Sequence, residues 1–572
     1  MRFAGWLPLR SRSGRISTAL VEDDSLETDP VDTHRMWSAA LLAGGLGLFV
    51  SLYLPWRTAS CRAEEYFGGQ PTCGLLNLFS SQGRIDGIAT SVGDVAALFA
   101  LAVAALAATA VIRPDLAPRL PLGQAAVAAC YFGLAVGLDV GSSATAGGFD
   151  SVYAYGAYIG LASGLIIVVA LAPARRSAFR QLSPRRLAIA VLAAGLLGAF
   201  LLPWWRDTLL AVQGATTAST SIGLVSPPAV VAAVLAILLA GSRPRLAPAE
   251  RVALAGSVVL FTIAAAVAFQ VLVDRLYGAW AALGVAGALL LVAAVVDARG
   301  IGRVAVGELP WRVLGVVAAA IFFVGSLFLP WQRLSYGDGP GLGPLAGHSF
   351  TTNGWLTTTG AAAAVFALAL LAAAFRPHRV HLSRFELAGT FALLVVSLEV
   401  TLAEGSGGGL SVEKGTGALI GFIAAALLAV LVSLGPRPAF DRRRALVRSV
   451  PIAACLGYLV VVTLPWFDVV SRGSEAFFAL PGWTTIIGVL LAIRLLRLWV
   501  EKAAPTTPEL ALLPAAMLGL ASVILLAQRE AVTWGGAAVA VLCALLAFLG
   551  RIEQQQGLEH FRVPDALRLD RL

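Results

Sequence analysis

Charge is scarce in this chain. Of its 572 residues only 13% are Asp, Glu, Lys or Arg, while 58% are hydrophobic; soluble domains carry roughly a quarter charged. Too little charge is present to cover a water-facing surface, which excludes an ordinary soluble enzyme. Histidine is equally thin, with five in all. Only His378 and His381 lie near one another, in "FRPHRVHLSRFE", and their arginine neighbours make a poor setting for a metal cation. No HExxH, Walker A or GxSxG occurs, nor GxGxxG in a strand–helix context. The glycine-rich "GSGGGL" (405–410) lacks the Lys-Ser/Thr of a phosphate loop. No metal, no cofactor and no catalytic residue is expected, and an enzyme is unsupported. Cysteines number five. Cys130, Cys455 and Cys543 fall in apolar segments and read as small buried apolar residues.

Long apolar runs are what the chain has in abundance. A helix needs about 20 apolar residues to cross about 30 Å of hydrocarbon. Sixteen segments qualify: 36–56, 88–112, 121–140, 153–172, 187–205, 225–242, 250–273, 277–297, 311–331, 355–375, 383–402, 415–434, 446–466, 482–499, 509–527 and 531–550. Before them, Arg2, Arg10, Arg12 and Arg15 are followed by no apolar core, so the start does not read as a signal peptide. The acidic run Glu22, Asp23, Asp24, Glu27, Asp29 and Asp32 reads as a solvated tail. With the N-terminus in the cytoplasm, most Lys and Arg fall in inner loops, densest at Arg175–Arg186 and Arg437–Arg448. That asymmetry is the positive-inside rule. It explains the net charge of +9 without nucleic acid and places both termini in the cytoplasm, with the plasma membrane as the expected location.

The chain repeats itself. "LYLPW", "FLLPW", "LFLPW" and "VTLPW" place Pro55, Pro203, Pro330 and Pro465 at intervals of 148, 127 and 135 residues, room for four spans each time. The second span of each unit opens with Gly and a large apolar residue: Gly87-Ile88, Gly223-Leu224, Gly354-Trp355 and Gly482-Trp483. The fourth spans start glycine-rich, as in "YGAYIGLASG" (155–164) and "KGTGALIG" (414–421). The fold class expected is therefore an all-α polytopic membrane protein of about sixteen transmembrane helices in four tandem, parallel-oriented tetraspan repeats. Their bounds are 36–176, 177–300, 301–437 and 438–550, between cytoplasmic tails 1–35 and 551–572. Pro is tolerated near a helix end, and Trp settles at the headgroup level. Trp56, Trp204, Trp331 and Trp466 are thus expected as interface anchors in an aromatic belt, with Trp311 at the inner face. The GxxxGxxxG of Gly156, Gly160 and Gly164 reads as close helix packing.

Two polar features stand out. Cys61 and Cys73 share an outer loop on the oxidising side and read as a structural disulfide. The outer ends of the third spans, "GLDVGSS", "LVDRLYG", "SLEVTLAEG" and "LAQREAVTW", bring Asp139, Asp274, Glu399 and Gln528 to one equivalent place. Ionisable groups in spans are costly and point to function by default. They read either as local caps on each unit or as an acidic site for a cation. Asp94 is a lesser candidate, present in one unit only.

The first unit resembles a claudin-type tetraspan on Pro55, Trp56, Cys61 and Cys73, over about 50 residues. The resemblance implies a small β-rich cap over a left-handed four-helix bundle. The family's Gly-Leu-Trp before the first Cys is missing, and the Cys pair is absent from the other three units.

Three functions remain in play. The first is a non-enzymatic membrane scaffold or sensor whose outer loops meet envelope proteins or lipids. The alternative is a transporter or channel using the outer acids. A second alternative is an envelope lipid or polysaccharide enzyme, drawing on scattered outer acids such as Glu64, Asp150, Asp207 and Glu475.

Overall fold

A computed structural model describes residues 30–61, 66–67, 70–71, 84–90, 92–114, 120–143, 149–179, 183–207, 220–241, 247–268, 273–275, 277–297, 310–336, 349–375, 383–401, 405–407, 410–433, 442–461, 465–468, 476–478, 483–501 and 534–555, with a few single positions between them. Most of it is helix. The helices are α1 Pro30–Leu52, α2 Gly93–Ile112, α3 Leu122–Ser143, α4 Tyr155–Phe179, α5 Pro184–Leu201, α6 Pro227–Gly241, α7 Pro248–Ala268, α8 Tyr277–Asp297, α9 Trp311–Ser326, α10 Thr358–Phe375, α11 Arg384–Thr401, α12 Thr416–Ser433, α13 Arg442–Val447, α14 Ser449–Val461, α15 Trp483–Val500 and α16 Trp534–Gln555. They underlie the expected apolar segments, except 509–527, most of which lies outside the described residues. Among the described residues, six helices are long and apolar enough to cross a membrane: Arg35–Leu52, Gly93–Ile112, Leu122–Val140, Pro248–Ala268, Thr358–Phe375 and Ala538–Gln555. The chain is a mostly helical, membrane-embedded protein.

Proline sets several boundaries. α1, α5, α6 and α7 each begin at Pro, whose fixed φ suits a helix start and whose missing N–H is no loss there. α1 thus starts at Pro30, inside the stretch read as a tail. At the other end of α1 the chain stops being helical just before Pro55 and turns straight into strand.

The same junction occurs at every Leu-Pro-Trp. Strand β1 is Pro55–Cys61, β6 Pro203–Asp207, β9 Pro330–Tyr336 and β13 Pro465–Asp468. Around them lie β2 Tyr66–Phe67, β3 Gln70–Pro71, β4 Arg84–Asp86, β5 Phe149–Tyr153, β7 Thr220–Ile222, β8 Val273–Arg275, β10 Ser349–Asn353, β11 Gly405–Gly407, β12 Leu410–Lys414 and β14 Ala476–Phe478. The antiparallel sheets run β4-β1-β5, β7-β6-β8, β10-β9-β12-β11 and β13-β14, beside the small pair β2-β3. These strands qualify the all-helix expectation. Each Pro-Trp strand pairs with the strand that precedes the next helix, so the sheets gather at one end of the helices.

Helix contacts form circuits. α1 and α3 each pack on both α2 and α4; α5 and α7 on both α6 and α8; α9 and α11 on both α10 and α12; α14 packs on α15 and α16. Between these groups, α3 meets α6, α6 meets α10, α10 and α11 meet α15, and α15 returns to α2. Three of the helices at these junctions are alanine-rich where buried, with Ala96, Ala97, Ala100 and Ala104 on α2, Ala229, Ala232, Ala233 and Ala236 on α6, and Ala361–Ala364 on α10. Small side chains let helices approach closely, which is how packing holds without a hydrophobic drive in lipid. One buried apolar cluster runs continuously from Leu52 to Ile486.

Candidate functional site

The sheet end of the bundles is built around the Leu-Pro-Trp tryptophans. In all four sheets the register skips that residue. Pro55 faces Asp86 and Arg57 faces Ile85; Pro203 faces Ile222 and Trp205 faces Ser221; Pro330 faces Asn353 and Gln332 faces Thr352; Pro465 faces Phe478 and Phe467 faces Phe477. Trp56, Trp204, Trp331 and Trp466 are therefore bulge residues. A bulge leaves one residue unpaired and re-aims its side chain.

The ring goes inward. Trp56 is 3% exposed, and Trp204 and Trp331 are fully buried. Each Nε1–H donates to the carbonyl five residues earlier, on Ser51, Ala199 and Ser326, at 2.7–2.8 Å. These carbonyls belong to helix ends, where the usual acceptor pattern runs out, and each also accepts the backbone N–H three residues on, from Leu54, Leu202 and Leu329. Glycines close on the rings. A Cβ on Gly87 would sit 2.7 Å from Trp56 Nε1, one on Gly223 2.5 Å from Trp204 Cε2, and one on Gly160 2.6 Å from Trp56 Cζ2. Gly354, Gly417 and Gly421 surround Trp331 in the same way. The aromatic-belt expectation put these rings among lipid headgroups; three of them are enclosed by protein, and the side chain of Trp466 lies outside the described residues. Sequence reading registered both the tryptophans and the glycines but not that they touch. A Cβ on Gly156 would sit 2.6 Å from the Pro55 carbonyl oxygen, whereas one on Gly164 would meet nothing within 4 Å, so only part of the GxxxGxxxG is packed.

The recurrent acids are distributed, each against its own group of helices. Asp139 is half-buried on α3, next to Val140, whose carbonyl accepts Arg57 Nη1–H at 2.8 Å. Asp274 lies in β8 opposite Arg206 of β6. Glu399 on α11 holds Lys414 of β12 through Oε2 at 3.0 Å. Its Oε1 is buried without a hydrogen-bond partner among the described residues. Gln528 lies outside the described residues, as do Cys73 and the side chain of Cys61. Among the described residues no group of three His, Cys, Asp or Glu could hold a metal ion.

Other polar groups tie one helix group to the next. Asp94, at the start of α2, accepts the N–H of Val95 at 2.7 Å and that of Trp483, at the start of α15, at 3.0 Å. One carboxylate thus serves the N-termini of two helices, where negative charge is favoured.

At the end away from the sheets, Glu386 is fully buried. It accepts from Ser383 N–H at 2.7 Å, and its own N–H donates to Ser383 Oγ at 3.2 Å, which is a capping box. Its Oε1 takes Arg497 of α15 at 3.1 Å. Glu250 caps α7 likewise, accepting from Ala247 N–H at 2.8 Å. Gln124 of α3 lies against Gly241, the last residue of α6. Arg448 and Glu553 form a buried pair at 2.6 Å between the α13–α14 junction and α16. Sequence reading passed over all of these. The signal for one set was available, since Gln124, Glu250, Glu386 and Glu509 open their segments at equivalent places.

Chemically, the sheet end offers tryptophan-filled tops and carboxylates with cationic or backbone neighbours. No family model matches the chain, and no curated protein or solved structure matches it.

Proposed function

We propose that the chain is a plasma-membrane scaffold or sensor of four tandem, parallel tetraspan units, 36–176, 177–300, 301–437 and 438–550. It would span the bilayer sixteen times with both termini cytoplasmic and present its sheets to envelope proteins or lipids. The observation that carries the reading is the recurrence of one device. Four times a helix ends in Leu-Pro-Trp and passes into a strand whose Trp is a bulge residue, and three times that ring is buried against glycine. Filled tops suit a body that displays its caps rather than one that conducts. The small sheet over α1–α4 is also what supports the claudin-type resemblance as a proposal about shape.

Two measurements test the scaffold reading. Reconstituted protein should pass no more sodium, potassium or protons than empty vesicles. A photo-cross-linker at the exposed Val152 of β5 should give a discrete envelope product in cells, while one at the exposed Val169 of α4 should give only lipid. Flux above the empty vesicles, or identical products at both positions, would overturn it.

The transporter reading keeps one specific observation, the buried Oε1 of Glu399, which has no hydrogen-bond partner among the described residues. Glu399→Gln keeps the side chain's shape and removes its charge. Only a working cation site would lose flux by this change.

A further inference from the structure

Two aromatic pairs stand outside the packing of the protein. α4 opens with Tyr155 and Tyr158, and α8 with Tyr277 and Trp280, in the matching stretches "YGAY" and "YGAW". All four residues are 54–62% exposed. Residues three apart on a helix are neighbours, so each pair lies on one side of its first turn. The two pairs also hold one structural position. Each follows by two residues a strand that pairs with a Leu-Pro-Trp strand, β5 with β1 and β8 with β6. Farther along the same helices the large exposed side chains are aliphatic, Leu161, Leu165 and Val169 on α4 and Leu291 and Val295 on α8.

We propose that Tyr155, Tyr158, Tyr277 and Trp280 seat in the phospholipid headgroup layer on the sheet side and fix how far the sheets rise out of the bilayer; this rests on the membrane-spanning reading. A Tyr or Trp has an apolar ring and one polar group, so it belongs where hydrocarbon meets water. Neither phase alone suits it. Water leaves the ring exposed, and hydrocarbon strands the O–H or N–H. The spacing along the helices agrees. Tyr158 to Arg175 on α4, and Trp280 to Asp297 on α8, are both seventeen residues, or about 26 Å. A hydrocarbon core is about 30 Å thick. Two separate helices thus carry an aromatic edge and a charged edge close to one hydrocarbon thickness apart. At the far end Trp311, which opens α9, is exposed as well. α12 has no such anchor. Its Gly421 backs onto the Trp331 ring as Gly160 backs onto Trp56, and two residues before Gly421 the place of Tyr158 is taken by Leu419, exposed but aliphatic. The belt expected at the Leu-Pro-Trp tryptophans then lies on residues beside them, and β5, with its exposed Val152, stands clear of hydrocarbon.

The test places a nitroxide label on the full-length protein in phosphatidylcholine vesicles, at Tyr158→Cys, Trp280→Cys, Val169→Cys and Leu291→Cys in turn, with unmutated protein as the labelling blank. Depth is read from relaxation of the label by oxygen against a water-soluble nickel chelate. Labels at Tyr158 and Trp280 should read one shared depth at the headgroup level. Those at Val169 and Leu291, eleven residues on and on the same faces, should read about 16 Å deeper. The emission that Trp280→Phe removes should be quenched more by a nitroxide near the lipid headgroup than by one at the end of the acyl chain. Suppose the labels at Val169 and Leu291 read as hydrocarbon. Then labels at Tyr158 and Trp280 that read equally deep, or as wet as one at Val152→Cys, overturn the proposal and leave the spanning reading standing. Labels at Val169 and Leu291 that read as water overturn both. Trp280 emission indifferent to either quencher overturns the proposal as well.

Discussion

A tryptophan ring is large, and enclosing one demands that something else be small. Around Trp56 and Trp331 the small residues are glycines, and their positions make the enclosure testable one atom at a time. Gly160→Ala places a methyl 2.6 Å from Trp56 Cζ2, with Ser51 Oγ 3.1 Å away. Overpacking of this kind costs about 1–3 kcal/mol. Gly164→Ala, one turn on, meets nothing within 4 Å, and in a helix it should be neutral or slightly stabilising, since Ala is favoured over Gly by up to about 1 kcal/mol. Thermal unfolding of the two purified variants should therefore diverge, with Gly160→Ala lower and Gly164→Ala at or above wild type. Trp331→Phe should also destabilise, by about 1 kcal/mol, because the Ser326 carbonyl loses one of its two donors and keeps only the Leu329 N–H. If Gly160→Ala melts with wild type, the ring is not held as described. Much of this was legible in advance. The Leu-Pro-Trp period and the recurrent glycines are visible in the letters alone. What the letters do not carry is the bulge, a one-residue slip between strands far apart in sequence. Without it, a Trp after a helix stop is naturally assigned to the headgroups, and the same residue types yield the opposite address.

Between elements, the polar contacts at the end away from the sheets decide which helix group meets which. Glu386 and Arg497 couple α11 to α15, with the glutamate 1% and the arginine 27% exposed. Arg497 Nε also pairs with Glu501 at 2.8 Å, so Glu386→Gln leaves the arginine one carboxylate and should cost about 1–2 kcal/mol, whereas Arg497→Met strands the buried Glu386 and should cost about 2–4 kcal/mol. Removing both leaves no fully buried charge stranded, since Glu501, which loses Arg497 as well, is 21% exposed. The double variant should recover part of the loss, giving a coupling energy of about 1–3 kcal/mol in a double-mutant cycle followed by chemical unfolding. Strict additivity would mean that the two side chains act independently. The capping box Ser383-x-x-Glu386 is a sequence-level signature, and comparing the segment starts would have aligned it with Glu250 and Gln124. Acids at the other ends of the same segments are the more conspicuous in sequence, because a carboxylate buried in lipid is costly. There the structure gives Glu399 a lysine and places Asp274 opposite an arginine. An acid that looks isolated in an apolar sequence can be neutralised from a strand that sequence alone does not place.

At the scale of the whole molecule, the path of helix contacts leaves α2, passes through α3, α6, α10 and α15, and comes back to α2. Orientation across the membrane is one expectation at this scale. Reporter fusions at Arg180, Arg376 and Arg442 should read cytoplasmic and fusions at Gly214, Gly339 and Gly473 external, as the arginine asymmetry requires.

Closure of the path is the other. A linear array cut in its middle has one interface to re-form, whereas a closed one has two. Co-expressed halves 1–300 and 301–572 should therefore associate through α6 with α10 and, independently, through α2 with α15. The second contact includes Asp94, whose carboxylate accepts from Val95 and Trp483 N–H groups at the starts of the two helices. Asp94→Asn offers one carbonyl oxygen in place of two acceptors and removes the negative charge that both helix ends favour. One of the two N–H groups then faces an amide N–H₂. The expected loss is about 1–2 kcal/mol, or close to tenfold in the affinity of the halves, measured by microscale thermophoresis of the purified fragments in detergent. Hydrogen exchange in the intact variant should rise at the first turn of α15 and stay unchanged in α6 and α10. Unaltered affinity together with unaltered exchange at α15 would mean that the two ends of the chain lie side by side without this carboxylate holding them.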